Sequence, residues 1–197
     1  MRIVGILLAA GEGSRFGGNK LLAPLAIDRT QRLNVEPVGV VAARNLLRAL
    51  PDSIAVVRPH DAALSASLSA AGVSSIKCDN ASHGMGASLA CGVAASEDAD
   101  GWVVALADMP WISPSTIRLV VDAIASGADI AAPTLRGARG HPVGFARAHR
   151  AALVSLTGDA GARSLIDRNA ARVTWIDVDD EGVLRDVDTA RDLPHAP

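Results

Sequence analysis

Residues 1–25 read MRIVGILLAAGEGSRFGGNKLLAPL, and the change of character at Gly11 decides the fold class. Ile3 to Ala9 is an apolar run of the length of one buried strand. It feeds Gly11-Glu-Gly-Ser-Arg-Phe-Gly-Gly-Asn-Lys20, a turn with four glycines, an arginine and a lysine. Glycines let the backbone turn tightly and approach an anion closely. A helix after the turn would aim unpaired N–H groups at that anion. Arg15 and Lys20 would add positive charge. Two familiar phosphate loops do not fit: the dinucleotide fingerprint finds Phe16 where its third glycine belongs, and the Walker loop finds Asn19 after Gly18 and Leu21 after Lys20. A nucleotide or phosphate site and a plain glycine-rich turn both remain open from these residues.

Apolar runs alternate with helical patterns along the rest of the chain. The spacing predicts helices over 37–50, 61–71, 85–96, near 147–156 and over 160–168, and strands over 54–57, 73–78, 130–132, 142–145 and 173–178. Ser113 is expected to cap a further helix that has Pro114 at its first position and Gly127 just past its end. Residues 187–193 read as a strand end running into a helix, capped by Asp188 or Thr189. Residues 26–36, AIDRTQRLNVE, carry no pattern and are expected to form a mobile loop. Alternation of this kind predicts an α/β chain of Rossmann-like type, a mostly parallel sheet with helices on both faces. Residues 1–197 are expected to form a single domain.

Composition excludes several classes. Apolar residues make up 49%, which argues against disorder. A formal charge of −2 without a long basic run argues against nucleic acid as a partner, as does an aromatic content of 3% without tyrosine. Cys78 and Cys91 form neither a CxxC pair nor a metal cluster, and no disulfide scaffold is indicated; a reducing compartment fits. No apolar run is long enough for a membrane span, and a cytoplasmic location is expected.

Gly101-Trp-Val-Val-Ala-Leu-Ala-Asp-Met-Pro110 is an apolar strand ending on an acid. In an open parallel sheet, ligands lie beyond the carboxyl ends of the strands. Asp108 and the glycine turn both fall there. Mg²⁺ takes carboxylates together with phosphate oxygens, so Asp108 suits a metal ligand; a turn former or helix cap suits it equally. His141, between Gly140 and Pro142, is either a turn histidine or a ligand contact. Arg136 and Arg139 could meet a phosphate or line a wet loop.

Read together, the segments resemble the MobA-like nucleotidyltransferases and, within them, the molybdenum cofactor cytidylyltransferases most of all. The residues that carry the resemblance are the first loop, Asn80-Ala-Ser-His-Gly-Met-Gly-Ala-Ser-Leu-Ala-Cys-Gly92, Leu106-Ala-Asp-Met-Pro110, Gly140-His-Pro-Val143, Gly158-Asp-Ala-Gly-Ala-Arg163 and Asp186-Val-Asp-Thr189. The resemblance implies transfer of CMP from CTP to the phosphate of a molybdopterin-type cofactor, Mg²⁺ dependence and pyrophosphate release. Transfer to a sugar phosphate or other small phosphorylated alcohol is the alternative acceptor reading, and a non-catalytic nucleotide-binding module is the alternative class. Leu8, Ala9, Ala10, Gly11, Gly13, Arg15 and Lys20 match the triphosphate signature, with Leu8-Ala-Ala-Gly11 in the form of the cytidylyl branch. Asp108 and Asp188 match the metal positions. Asn80, Gly84 and Ser88 match the segment along the nucleoside, while His141, Asp159 and Arg163 fall on the acceptor side. Lys20, Arg15 and Asp108 are the expected catalytic residues. A molybdoenzyme or chaperone that receives the cofactor is the implied protein partner. The pattern departs from the family at the long polar stretch 26–36 and at Gly39, a glycine inside a helix.

Overall fold

The computed structural model describes residues 1–11, 13, 16–26 and 35–193. In chain order the elements are β1 (Ile3–Leu8), β2 (Pro24–Ala26), β3 (Val35–Pro37), α1 (Val38–Ala49), β4 (Ser53–Val57), α2 (Ala62–Ala70), β5 (Ser74–Lys77), α3 (Met85–Ala94), β6 (Gly101–Leu106), α4 (Pro114–Ala125), β7 (Ile130–Leu135), β8 (Ala138–Arg139), β9 (Val143–Ala146), α5 (Arg150–Val154), α6 (Arg163–Arg168) and β10 (Val173–Asp177).

The main sheet runs β10-β7-β9-β6-β1-β4-β5, with β8 added alongside β7. It is mixed: β1 is parallel to both β4 and β6, whereas β9 is antiparallel to β6 and β7. This is the α/β Rossmann-like architecture that the alternating pattern predicts, with β9 as its antiparallel insertion. Every residue of β1 is buried. Alternate side chains therefore feed two cores. Leu7 joins Leu46, Leu64, Val120 and Ile124 under α1, α2 and α4. Ile6 joins Leu89, Val93, Leu153 and Ile166 under α3, α5 and α6. Full burial of these side chains contributes roughly 1.5–3 kcal/mol each.

The order of the strands sets the position of the crevice. The chain leaves β1 towards β4 and β5, then crosses to β6 on the other side of β1. The switch point lies between the carboxyl ends of β1 and β6, where ligands bind in such sheets.

Three local expectations are corrected. The glycine turn does not lead into an α-helix; a single 3₁₀ turn, Lys20–Leu22, follows, and Pro24–Ala26 then pairs antiparallel with Val35–Pro37. Pro24 lacks an N–H, and Leu25 is buried in this hairpin at 2% exposure, so a helix there is disfavoured twice. The expected loop over 26–36 is thus bounded by strand pairing, and its residues 27–34 lie outside the described residues. The tail forms no strand; Thr189 and Asp192 close one 3₁₀ turn, Ala190–Asp192, through a capping box.

The third correction concerns the cysteines. Cys78, just past β5, and Cys91, in α3, form a disulfide with their Cα atoms 5.9 Å apart. Their pairing depends on α3 folding back beside β5, which spacing along the chain does not show. The expectation of a reducing compartment, in so far as it rested on free thiols, loses that support. No helix among the described residues is long and apolar enough to cross a membrane.

Candidate active site

A cavity of about 270 Å³ lies at the switch point, lined by Leu8, Ala10, Gly11, Gly13, Lys20, Ser88, Asp108 and Asp188 among others. Each of these was expected at the nucleotide or metal site, from segments as far apart in sequence as Leu8 and Asp188. Arg15 lies outside the described residues. Ala9 points away into the core, and its N–H donates to the Val56 carbonyl at 2.9 Å.

Lys20 is held by its neighbours. Leu21 is buried, and the Ala23 N–H donates to the Lys20 carbonyl at 3.2 Å. Gly39 explains itself here: a Cβ at that position would sit 3.3 Å from both Leu21 Cβ and the Leu21 carbonyl oxygen. Its bare backbone lets the start of α1 seat the turn that carries Lys20. The Lys20 ammonium then lies 2.6 Å from Asp108 Oδ2, with the two side chains 12% and 23% exposed.

Asp108 follows β6 directly. The Ala107 N–H donates to the Leu8 carbonyl at 3.0 Å, which carries the β1–β6 ladder one step past the strand ends. Asp188 arrives from the tail. Asp180 accepts from the Ser113 N–H at 2.9 Å and the Thr116 hydroxyl at 2.7 Å, which ties the returning chain to the start of α4. The Val187 N–H then donates to the Asp108 carbonyl at 2.8 Å. The Asp192 carboxylate accepts from the backbone N–H groups of Asp188 and Thr189 and from the Thr189 hydroxyl. These bonds hold its pKa below the usual carboxylate value, the Thr189 backbone bond first.

Two carboxylates lining one cavity are a donor set of hard oxygen atoms that fits a small divalent cation sharing its remaining positions with phosphate and water. Among the described residues no group of three or more His, Cys, Asp or Glu side chains is placed to hold a metal.

Leu8, Met85 and Leu106 also line a second cavity, of about 550 Å³. Its walls include His141, Asp159 and Arg163, the three residues expected on the acceptor side, together with Arg139. The His141 N–H donates to the Val183 carbonyl at 3.0 Å. Burial pushes the His141 imidazole pKa down; nearby Asp108 opposes this shift and Arg139 adds to it. The His141 ring is therefore neutral at pH 7. The segment carrying Asp159 is clipped to the start of α3: Gly86 N–H donates to the Gly158 carbonyl, and Gly158 N–H to the His83 carbonyl, both at 2.8 Å.

Asn80 and Gly84 line neither cavity. Asn80 precedes the 3₁₀ turn Ala81–His83, and its neighbours Asp79, Ala81 and Ser82 line a third hollow with Arg58 and His60. Gly84 packs against Gly158 and Asp159. Arg58 escaped the sequence reading as a site residue. Arg58 Nη2 donates to the Gly11 carbonyl at 3.2 Å. It directly follows β4, so its place at a carboxyl end was the available signal. Arg139, weighed from the sequence as a phosphate contact or a wet-loop residue, comes to line the second cavity through the pairing of β8 with β7.

The fold and this arrangement define a nucleotidyltransferase-type enzyme, and the architecture is shared with a nucleotidyl transferase from Methanothermobacter (22% identity, TM-score 0.78, 97% of this chain and 94% of that one). The model of the MobA-like NTP transferase domain matches residues 5–173, and the chain belongs to that family. Among characterised relatives it is 33% identical over 199 residues to nicotine blue oxidoreductase of Paenarthrobacter nicotinovorans, covering 97% of this chain and 94% of the relative. It is 30% identical over 201 residues to the purine catabolism protein PucB of Bacillus subtilis strain 168, covering 95% and 92%. Among solved structures, Rv0371c of Mycobacterium tuberculosis H37Rv superposes with a TM-score of 0.83 at 27% identity over 98% of this chain and 95% of that one. A manganese complex of Rv0371c superposes at 0.76 with 26% identity, over 98% of this chain and 96% of that one.

Proposed function

We propose that this enzyme transfers CMP from CTP to the phosphate of a molybdopterin-type acceptor and releases pyrophosphate. The observation that carries the reading is the convergence of Lys20, Asp108 and Asp188 on a glycine-edged cavity that opens, past Leu8, Met85 and Leu106, into a second cavity.

An acceptor phosphate oxygen attacks the α-phosphorus, a new P–O bond forms, and the bond to the β-phosphate oxygen breaks. Both reactants are anionic, so the site must neutralise charge before the oxygens meet. Lys20 would leave Asp108 and meet the triphosphate, and glycines at 11 and 13 would permit close approach of the backbone. Asp108 and Asp188 would hold Mg²⁺, which would supply further charge neutralisation at the phosphate oxygens. The manganese complex of Rv0371c supports a divalent cation for this family member. A phosphate acceptor, with a second pKa near 6, is already largely ionised at neutral pH, so no strong base is required. Arg15 would bind the β- and γ-phosphates in a bidentate manner. A molybdoenzyme or chaperone partner would take up the product.

One relative carries the name of an oxidoreductase, which favours a second reading: electron transfer on the same scaffold. The test is a pyrophosphate-release screen of four nucleoside triphosphates with Mg²⁺, against molybdopterin and sugar-phosphate acceptors, with a parallel arm following NAD(P)H oxidation with nicotine blue as the electron acceptor. Release with CTP and molybdopterin is the expected result. Release only with sugar phosphates moves the acceptor, binding without release favours the non-catalytic module, and NAD(P)H oxidation alone decides for the second reading.

A further inference from the structure

Arg139 is an exposed residue in an unusually fixed position. Arg136 and Gly137 both have positive φ, 52° and 80°, the signature of a tight two-residue hairpin turn. That turn pairs Leu135 with Ala138 and Thr134 with Arg139. The Gly140 N–H donates to the Pro133 carbonyl at 2.9 Å, so the backbone on both sides of Arg139 is pinned. The side chain is held as well. Its Nη1 donates to Asp167 Oδ1 at 2.7 Å, and its guanidinium carbon lies 5.5 Å from the centre of the Trp175 ring. An arginine has five N–H donors in a planar fork, and the contact with Asp167 engages one nitrogen of it.

The cavity beside it has two chemistries. Leu89, Val104, Phe145 and Ile166 make an apolar floor. Arg139, Asp159 and Arg163 supply two cations and one anion at its walls. His141 adds a neutral polar atom. Its Nδ1 is buried without a hydrogen-bond partner, so the ring meets the cavity through its other edge.

We propose that Arg139 is the anion anchor of this second cavity, positioned by Asp167 and Trp175, and that the ligand class it selects is a phosphate monoester on a flat apolar body. This rests on the reading of the second cavity as the acceptor side. Arg139 and His141 both line this cavity, so a guanidinium and an imidazole edge can meet the same phosphate while the body lies on the apolar floor. Asp167 and Trp175 act through Arg139 by holding its fork in place, which preserves its reach without filling its donors.

The test uses the full chain without nucleotide and 1-naphthyl phosphate as probe, with 1-naphthol and inorganic phosphate as controls, by titration calorimetry. Wild type is expected to bind 1-naphthyl phosphate at least about tenfold more tightly than 1-naphthol, the worth of a charge-assisted contact. Arg139→Gln should erase that ratio and leave naphthol binding and the melting temperature unchanged. Arg139→Lys should restore only part of it. Asp167→Asn and Trp175→Leu should reduce the ratio less, as positioning residues do. Lys20→Ala, which alters the first cavity, should leave the ratio intact. A ratio near one in wild type, a full ratio in Arg139→Gln, or a ratio lost in Lys20→Ala instead would each overturn the proposal. Because the readout is binding without CTP, its failure is distinct from a failure of pyrophosphate release.

Discussion

The backbone N–H of Val187 donates to the carbonyl of Asp108 at 2.8 Å, which joins the last segment of the chain to the end of the central strand. Val187 is fully buried in the core beneath α1 and α4, so the bond does not depend on a wet surface. It sets Asp188 beside Asp108 across eighty positions of sequence. The two acids are therefore a pair made by the fold, although neither stands in a recognisable metal motif.

If the pair serves the metal, Asp108→Asn should nearly abolish pyrophosphate release and leave the circular dichroism spectrum unchanged. An amide keeps the shape but not the charge, and it forms turns about as well as an acid. Asp188→Asn should raise the Mg²⁺ concentration needed for half-maximal rate. Near-normal turnover of Asp108→Asn at saturating Mg²⁺ would remove it from the metal site.

CTP should be preferred to GTP. Ala10 lines the first cavity and is only 5% exposed, so its methyl group occupies space that a glycine would leave open to a purine. Shape discrimination of one methylene's size is worth roughly 10- to 200-fold. A competition assay with both nucleotides measures the ratio of kcat/KM, and equal values would rule out the cytidylyl preference.

Gly84 tests the clip between the Asp159 segment and the start of α3. Its φ is +99°, and a Cβ there would lie 2.4 Å from Asp159 Oδ1 and 2.5 Å from the Gly158 carbonyl carbon. Gly84→Ala combines backbone strain with a clash, so a loss of about 1–3 kcal/mol is expected. Chemical denaturation would record it. A variant as stable as wild type would mean that the 157–161 segment moves aside at no cost.

The sheet was largely legible because buried strands such as Ile3–Leu8 and Gly101–Leu106 are almost wholly apolar, and Ser113-Pro114 with Gly127 brackets α4 as capping chemistry requires. The cavity lining was legible in the glycine loop after β1, as with Lys20, just past the end of β6, as with Asp108, or where a family motif marked it, as with Asp188 and His141. It was not legible where it depends on three-dimensional return. The Cys78–Cys91 bond, the Arg58 contact with Gly11, the position of Arg139 and the support of Asp188 by Asp192 all join groups whose meeting no periodicity encodes. Gly39 read as a departure from the family, yet the packing of Leu21 gives it a reason.

His141 should make stability depend on pH. Its folded pKa is depressed below 6.5, by burial first and by Arg139, against the opposing pull of Asp108. Well above pH 6.5 both folded and unfolded forms are neutral there, and His141 adds no slope. Below it the unfolded chain takes up a proton that the folded form refuses, so stability falls with pH until the depressed folded pKa is passed. Urea titrations from pH 8 to 5 on wild type and His141→Gln should give a difference curve that is flat above 6.5 and falls below it. A flat difference throughout would mean that folding leaves the imidazole pKa unchanged, and a rise on acidification would mean that the fold favours the charged ring.

Lys20 is the sharpest test of the chemistry. It lies 2.6 Å from Asp108 Oδ2 and is 12% exposed, so it is not a free surface charge. A lysine serving only this ion pair would matter to stability and little to turnover. A lysine that meets the triphosphate would matter to the transition state, where charge gathers on the transferred phosphoryl group and the departing pyrophosphate. Losing an electrostatic donor of this kind costs about 3–4 kcal/mol, so Lys20→Ala should lower kcat/KM by two or more orders of magnitude, with part of the loss in kcat. Lys20→Arg should recover only part, because a planar fork does not occupy the place of a compact ammonium. Steady-state kinetics of both variants, with melting temperatures alongside, separate the two roles. Full turnover in a destabilised Lys20→Ala would confine Lys20 to holding Asp108 and leave phosphate binding to the glycine backbone and Arg15.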